Sequence, residues 1–266
     1  MATLPPETIA ELAVHLETAR REAQPVVKIT DAYPDLDYED AYAIQEGIRE
    51  LVLARGGRIA GLKMGLTSYA KMKQMGVEEP IRGFLADEFA RPEGEVISTA
   101  DLIHPKIEAE LAFITKAPLI GRDLEIADVL EATALIVPAL EIIDSRYENF
   151  RFDLRSVVAD NCSSSRFVIG SSSVKPEAIA SELETLGVVM EKNGEVVATG
   201  AGAAVLGNPA ASVAMLARML ADRGEHIPAG TLVLTGGVTA AHRVEAGDAV
   251  TARYQHLGAV TARFGD

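Results

Sequence analysis

Residues 103–114 read IHPKIEAELAFI, and the alternation inside that stretch decides how the chain is built. Side chains of a strand alternate faces with period two, so Ile107, Ala109, Leu111 and Phe113 share one face while Glu108, Glu110 and Ala112 share the other. The continuous apolar face predicts a strand laid against a core. The two carboxylates then point the same way. Taken alone they admit two readings, the wet face of a half-exposed antiparallel strand or one side of a cation site.

A third acid further along bears on that choice. In VPALEIIDSRYENF, Glu141 is flanked by Ala139, Leu140, Ile142 and Ile143, a setting too apolar for a solvated carboxylate. A buried acid must be paired or bind a cation. Arg146 is the candidate partner if Glu141 makes an ordinary salt bridge. Three carboxylates with no cysteine nearby otherwise make a hard, all-oxygen site suited to Mg2+ or Mn2+. His104, just before a proline at the strand entrance, reads as structural or as a support for the site.

Lys63 lies upstream in IAGLKMGLT, between Leu62 and Met64 and close to two glycines, where backbone can approach a ligand closely. Partly apolar surroundings lower a lysine's proton affinity and suit it to acid–base work; the competing reading is a side chain that snorkels to solvent. VADNCSSSRFVIG offers Asn161, Ser163, Ser164 and Ser165 as a pocket lining or as turn residues. Cys162 has no base near it in sequence, which argues against a nucleophile. In LTGGVTAA, Gly236 and Gly237 can present backbone N–H groups to a carboxylate.

Composition sets the frame for these motifs. With 266 residues, 48% of them hydrophobic, the chain can bury a full core. A net charge of -14 and the lack of a basic run argue against nucleic acid as a partner. One cysteine excludes an internal disulfide and a cysteine-based zinc cluster. No apolar run approaches the roughly 20 residues that span a bilayer, and the N-terminus lacks a signal-peptide core. The expectation is a cytoplasmic protein with no membrane partner.

Apolar residues at helical spacing predict helices over Pro5–Glu22 and Tyr38–Arg55, the second stopped by Gly56 and Gly57. SYAKMKQMG reads as a short helix from an N-cap at Ser68 to Gly76. Strands dominate afterwards. LGVVMEKNGEVVATG is a hairpin turning at Asn193–Gly194, and one further helix runs from about Asn208 to Arg223. The sum is an α+β protein, with a helical region over residues 1–60 packed on a mainly antiparallel β core over 61–266.

Four segments taken together, GLKMGLTSYAKMKQMGV, LIHPKIEAELAF, PALEIIDSRYENFRFDL and VVADNCSSSRFVIG, resemble the hydratase/decarboxylase family of catechol meta-cleavage pathways, within the fumarylacetoacetate hydrolase superfamily. The resemblance implies the β core of that superfamily. It also implies Mg2+ or Mn2+ held by Glu108, Glu110 and Glu141, a catalytic Lys63, and a homo-oligomer that associates with a partner hydratase. GLKMGLTS, IDSRYENF and GGVTAA look like the decarboxylase branch, which takes the 2-oxo dicarboxylate 2-oxohex-3-enedioate to 2-hydroxypenta-2,4-dienoate. Hydratases of the family carry an aspartate in the segment matching EEPIRGF, where Ile81 stands here; Asp87 is the acid near enough to stand in. Ile81, Asn161, Ser163, Gly236 and Gly237 are the expected substrate contacts. Outside this chemistry stand a non-catalytic cation-binding protein, which has no use for Lys63, and a C–C hydrolase, for which His104 is a poor base.

Overall fold

The computed structural model describes residues 3–69, 72–73 and 79–266. Two helices open the chain, α1 (Pro6–Arg21) and α2 (Tyr38–Ala54), within a residue of the ends that their apolar spacing predicts. They pack on each other through Leu12, Ala13 and Leu16 on one side and Ala41, Ile44 and Ile48 on the other, all buried. Asp37 caps α2 by accepting the N–H of Asp40 at 2.8 Å, and Asp40 returns the bond to Asp37. The same Asp40 carboxylate accepts the backbone N–H groups of Thr3 and Leu4, which ties the start of the chain to α2. Of the helix expected between Ser68 and Gly76, Tyr69, Met72 and Lys73 are helical, while residues 70–71 and 74–78 lie outside those described.

Two sheets follow. The strands are β1 (Ile59–Gly65), β2 (Ile81–Ala86), β3 (Ala90–Arg91), β4 (Val96–Ser98), β5 (Lys106–Thr115), β6 (Thr133–Ile143) and β7 (Ser164–Ile169). After them come β8 (Gly187–Lys192), β9 (Glu195–Ala201), β10 (Leu232–Leu234), β11 (His242–Arg243), β12 (Ala249–Tyr254) and β13 (Gly258–Gly265). The larger sheet runs β2-β1-β10-β5-β6-β7-β3 with β11 added beside β5, and the smaller runs β4-β13-β12-β8-β9. Most pairs are antiparallel, as expected, and three are parallel: β1 with β10, β3 with β7, and β4 with β13. The β8–β9 hairpin turns at Asn193 and Gly194, whose φ values of 55° and 85° are those of the tight turn that Asn-Gly favours. The helix Pro209–Ala221 starts where Asn208 accepts the Ala210 N–H at 2.9 Å. Its apolar stretch faces the core through Val213, Leu216 and Ala217.

Strand β5 is buried on both sides, and each side has its own core. Ile107, Ala109, Leu111 and Phe113 pack with Val250, Ala252, Val260 and Ala262 of the smaller sheet. Ala112, with Val137 and Ala139 of β6, packs toward Ile44 and Ile48 of α2 and Val158 of the helix Leu154–Ala159. Glu108 and Glu110 share the second side. The wet-face reading of these acids therefore fails, because the helical layer covers that face and leaves only a cavity over the carboxylates.

Candidate active site

The antiparallel register sets Glu108 directly opposite Glu141 and Glu110 opposite Ala139, so three carboxylates from two neighbouring strands converge on one face. One oxygen from each lies within 4.8 Å of the others. Glu110 and Glu141 are fully buried. Gly236 N–H donates to Glu110 Oε2 at 2.8 Å, which fixes that side chain, while Glu110 Oε1 and Glu141 Oε1 have no hydrogen-bond donor among the described residues. At Gly237 a Cβ would stand 3.1 Å from the Glu108 carboxylate, so a larger residue there would press on Glu108.

Lys63, on β1, ends with its Nζ 2.8 Å from Glu141 Oε2 and 3.3 Å from the Cys162 carbonyl, which accepts from it. At 3% exposure it does not snorkel. Its proton affinity moves opposite to the expectation: burial works against the ammonium, but Glu141, Cys162 and Glu110 around it together outweigh burial and raise the pKa above the ordinary lysine range. Arg146 is not the partner of Glu141. It pairs instead with Asp160 at 2.9 Å, whose carboxyl burial pushes up to about 7 against that arginine's pull.

Burial, and then repulsion from Glu141, hold the Glu110 carboxyl well above its usual range. Burial raises Glu141 too, with Lys63 opposing. Among the described residues, Lys63 is the ammonium set beside the fully buried Glu110 and Glu141, and two carboxyl groups held together in a dry place are a costly arrangement. The orphaned oxygens and the oxygen-only donor set fit a divalent cation of the Mg2+ or Mn2+ kind.

The segment that presents the Cys162 carbonyl is strained. Asn161, Cys162 and Ser163 have φ values of 46°, 53° and 58°, a left-handed run that costs about 1–2 kcal/mol per non-glycine residue. Bonds on either side hold it. The Asn161 amide accepts from the Phe84 N–H at 2.9 Å and donates to the Phe84 carbonyl at 3.0 Å, closing the curled sheet against the edge of β2. Asp144 N–H donates to the Ser163 carbonyl at 2.8 Å. Asn161, expected at the substrate, is thus spent on the scaffold. Cys162 is buried and its thiol is pushed up to about 12 by burial, in keeping with a non-nucleophilic role.

A cavity of about 220 Å3 opens above this floor, walled by Lys63, Glu108, Ile81, Phe150, Phe152 and Cys162. Ser163 and Gly237 also reach it. Gly236 serves Glu110 rather than a ligand, since its N–H is already bonded to that carboxylate. His104 stands outside, its ring 5.2 Å from that of Phe150 and its backbone N–H donating to Asp144. Asp87 is turned away toward Arg58 at 3.1 Å. Sequence reasoning missed the aromatic wall, because Phe150 and Phe152 follow a loop without periodicity.

It also missed Tyr254. The Tyr254 hydroxyl, reaching over from the smaller sheet, is 2.8 Å from both the Glu110 and the Ala139 carbonyls and ties β5 to β6 behind the carboxylates. The signal was present: Val250, Ala252 and Tyr254 share a strand face, and a tyrosine on an apolar face needs a partner for its hydroxyl. Tyr254→Phe is expected to lower the unfolding free energy by about 1–3 kcal/mol, the cost of stranding buried carbonyls. Urea denaturation measures this, and an unchanged midpoint would contradict it.

Comparison with known proteins agrees with this geometry. The profile of the family described as fumarylacetoacetate (FAA) hydrolase C-terminal matches residues 71–265. A 4-oxalocrotonate decarboxylase from Pseudomonas putida is 58% identical over 262 residues, covering 98% of each chain. The TodF product hydratase of Pseudomonas putida is 40% identical over 250 residues, 94% of this chain and 92% of that one. Among solved structures, 4-oxalocrotonate decarboxylase from Pseudomonas putida G7, complexed with magnesium and adipate, superposes with a TM-score of 0.96 at 56% identity, over 99% of this chain and 100% of that one. With the carboxylate cluster seated in a fold of that type, the chain belongs to the fumarylacetoacetate hydrolase family.

Proposed function

We propose that the protein is a metal-dependent carboxy-lyase that converts 2-oxohex-3-enedioate (4-oxalocrotonate) to 2-hydroxypenta-2,4-dienoate and CO2. The observation that carries this reading is the convergence of Glu108, Glu110 and Glu141 beside Lys63, with Glu108 and Lys63 reaching a cavity that Ile81, Phe150 and Phe152 also line. The three glutamates hold a divalent ion, Mg2+ or Mn2+. That ion supplies Lewis-acid stabilisation of the negative charge that develops on the 2-oxo group. The relative solved with magnesium and adipate supports both the metal and a six-carbon dicarboxylate.

The substrate's distal carboxylate is attached at C5, a saturated carbon next to the C3=C4 double bond, which is itself conjugated with the C2 carbonyl. When the C5–C6 bond breaks, CO2 leaves and the electron pair moves through the double bond to the C2 oxygen. A proton on that oxygen completes the dienol. Lys63 Nζ, at the floor beside Glu141, orients the oxo acid and carries that proton. Ile81, Phe150 and Phe152 keep water from the breaking bond, and an apolar wall favours the change from carboxylate to neutral CO2.

Hydration of 2-hydroxypenta-2,4-dienoate is the second reading, kept open by hydratase relatives at 40% identity. Against it, Ile81 occupies the wall, and Glu108 is the only carboxylate among the described lining residues. The dienol product tautomerises readily, which favours its transfer to a partner hydratase. One preparation with Mg2+, given each substrate in turn and followed by ultraviolet absorbance, separates the readings. The expected result is fast loss of the hexenedioate and slow or no hydration of the dienoate; the reverse rates would promote the hydratase.

A further inference from the structure

Lys106 is a charged residue of the cavity that the chemistry above does not use. It lies two residues before Glu108 on β5, on the same face, and opposite Ile143 in the register. Two residues of strand advance about 6.8 Å, comparable to the span of an extended six-carbon acid. Its Nζ stands 3.7 Å above the centre of the Phe150 ring. Phe150 is held there at cost, since it and Asn149 have φ values of 58° and 57°, and its ring leans on Phe152 at 5.6 Å and His104 at 5.2 Å. Lys106 and Phe150 together form the wall shared by the catalytic cavity and an outer cavity of about 650 Å3 that also touches His104 and Arg243.

We propose that Lys106 reads the distal carboxylate of the substrate and makes the site select 2-oxo dicarboxylates over 2-oxo monocarboxylates. The inference rests on the reading given under Proposed function, in which the oxo-acid end is fixed at the glutamates. The other end of a six-carbon chain then arrives at the mouth, where Lys106 stands. A chain carrying -14 overall repels a dianion, so an ammonium at the entrance also offsets that field locally. Because the distal charge passes into the dienolate during the reaction, the contact belongs to the bound substrate more than to the transition state. Its loss therefore weakens binding more than it slows turnover.

The test is calorimetry on the Mg2+-loaded protein with two unreactive probes, 2-oxohexanedioate and 2-oxohexanoate, which lack the double bond. The wild type is expected to prefer the dicarboxylate by about tenfold or more, the scale of one charge-assisted hydrogen bond. Lys106→Met should abolish that preference and hold 2-oxohexanoate as the wild type does. Lys106→Gln, a second neutral variant, should do the same and serves if the first fails to fold. A preference ratio unchanged from wild type in the neutral variants overturns the role of Lys106 alone. A wild type that binds neither acid overturns the proposed function, and the role of Lys106 falls with it.

Discussion

Lys63→Met is expected to lower turnover by about 10²-fold or more at saturating Mg2+, the scale of a lost proton donor, while the Mg2+-loaded protein keeps its thermal transition to within a few degrees. The distinction between loaded and metal-free protein matters here. Without metal, Lys63 is the cation 2.8 Å from a fully buried Glu141. Breaking a buried pair by removing one partner costs on the order of 3–5 kcal/mol. With a divalent ion on the carboxylates, two of their three negative charges are offset without the lysine. Calorimetric scans with and without Mg2+ should therefore show a large destabilisation of the metal-free variant that Mg2+ largely reverses. Near wild-type turnover in the variant would remove Lys63 from the chemistry.

Glu108→Gln, Glu110→Gln and Glu141→Gln are each expected to weaken Mg2+ binding by more than about 10²-fold, since even loss of residues that only support a ligand costs 10–100-fold. Activity should fall with it. Stability should not. Glu110 is pushed up by burial and by the neighbouring Glu141, so in the metal-free protein a neutral amide relieves repulsion, and Glu110→Gln should be as stable as the wild type or more so at pH 7. The sign follows from linkage. A carboxyl whose pKa is raised by folding contributes stability that is present below the unfolded-state value and is lost as pH rises through the folded one. The metal-free wild type should thus lose stability as pH climbs above the ordinary glutamate range, and Glu110→Gln should flatten that slope. Unchanged Mg2+ affinity in all three variants would sink the metal site.

Much of this arrangement was legible in the sequence because it depends on period. The alternation through Ile107 and Phe113 gave the strand, and Glu108 and Glu110 fell on one face because strand geometry leaves no choice. Glu141 was legible as a buried acid from its apolar neighbours. Its partner was not, because pairing between strands far apart in one sheet depends on how the sheet curls. Local spacing suggested Arg146, whereas the curl brings Lys63 from β1 to Glu141 and sends Arg146 to Asp160. The same long-range geometry decides the sign of the Lys63 shift: the apolar neighbours predict a depressed lysine, and Glu141 at 2.8 Å together with Cys162 and Glu110 reverses it. Asn161 shows the opposite limit. Its polar chemistry suits a ligand or a backbone edge equally, and only the approach of Phe84 in space assigns it to the edge. Lys106 and Phe150 were hidden because a loop places the ring.

The most direct test of metal-dependent decarboxylation uses 2-oxohex-3-enedioate labelled with 13C at the distal carboxylate and followed by NMR with purified, metal-stripped protein. On addition of Mg2+ the label should pass into CO2 and bicarbonate, one per substrate consumed, while unlabelled 2-hydroxypenta-2,4-dienoate builds up. Substrate loss with the label retained in an organic product, or release of label at the same rate with and without Mg2+, would contradict the account.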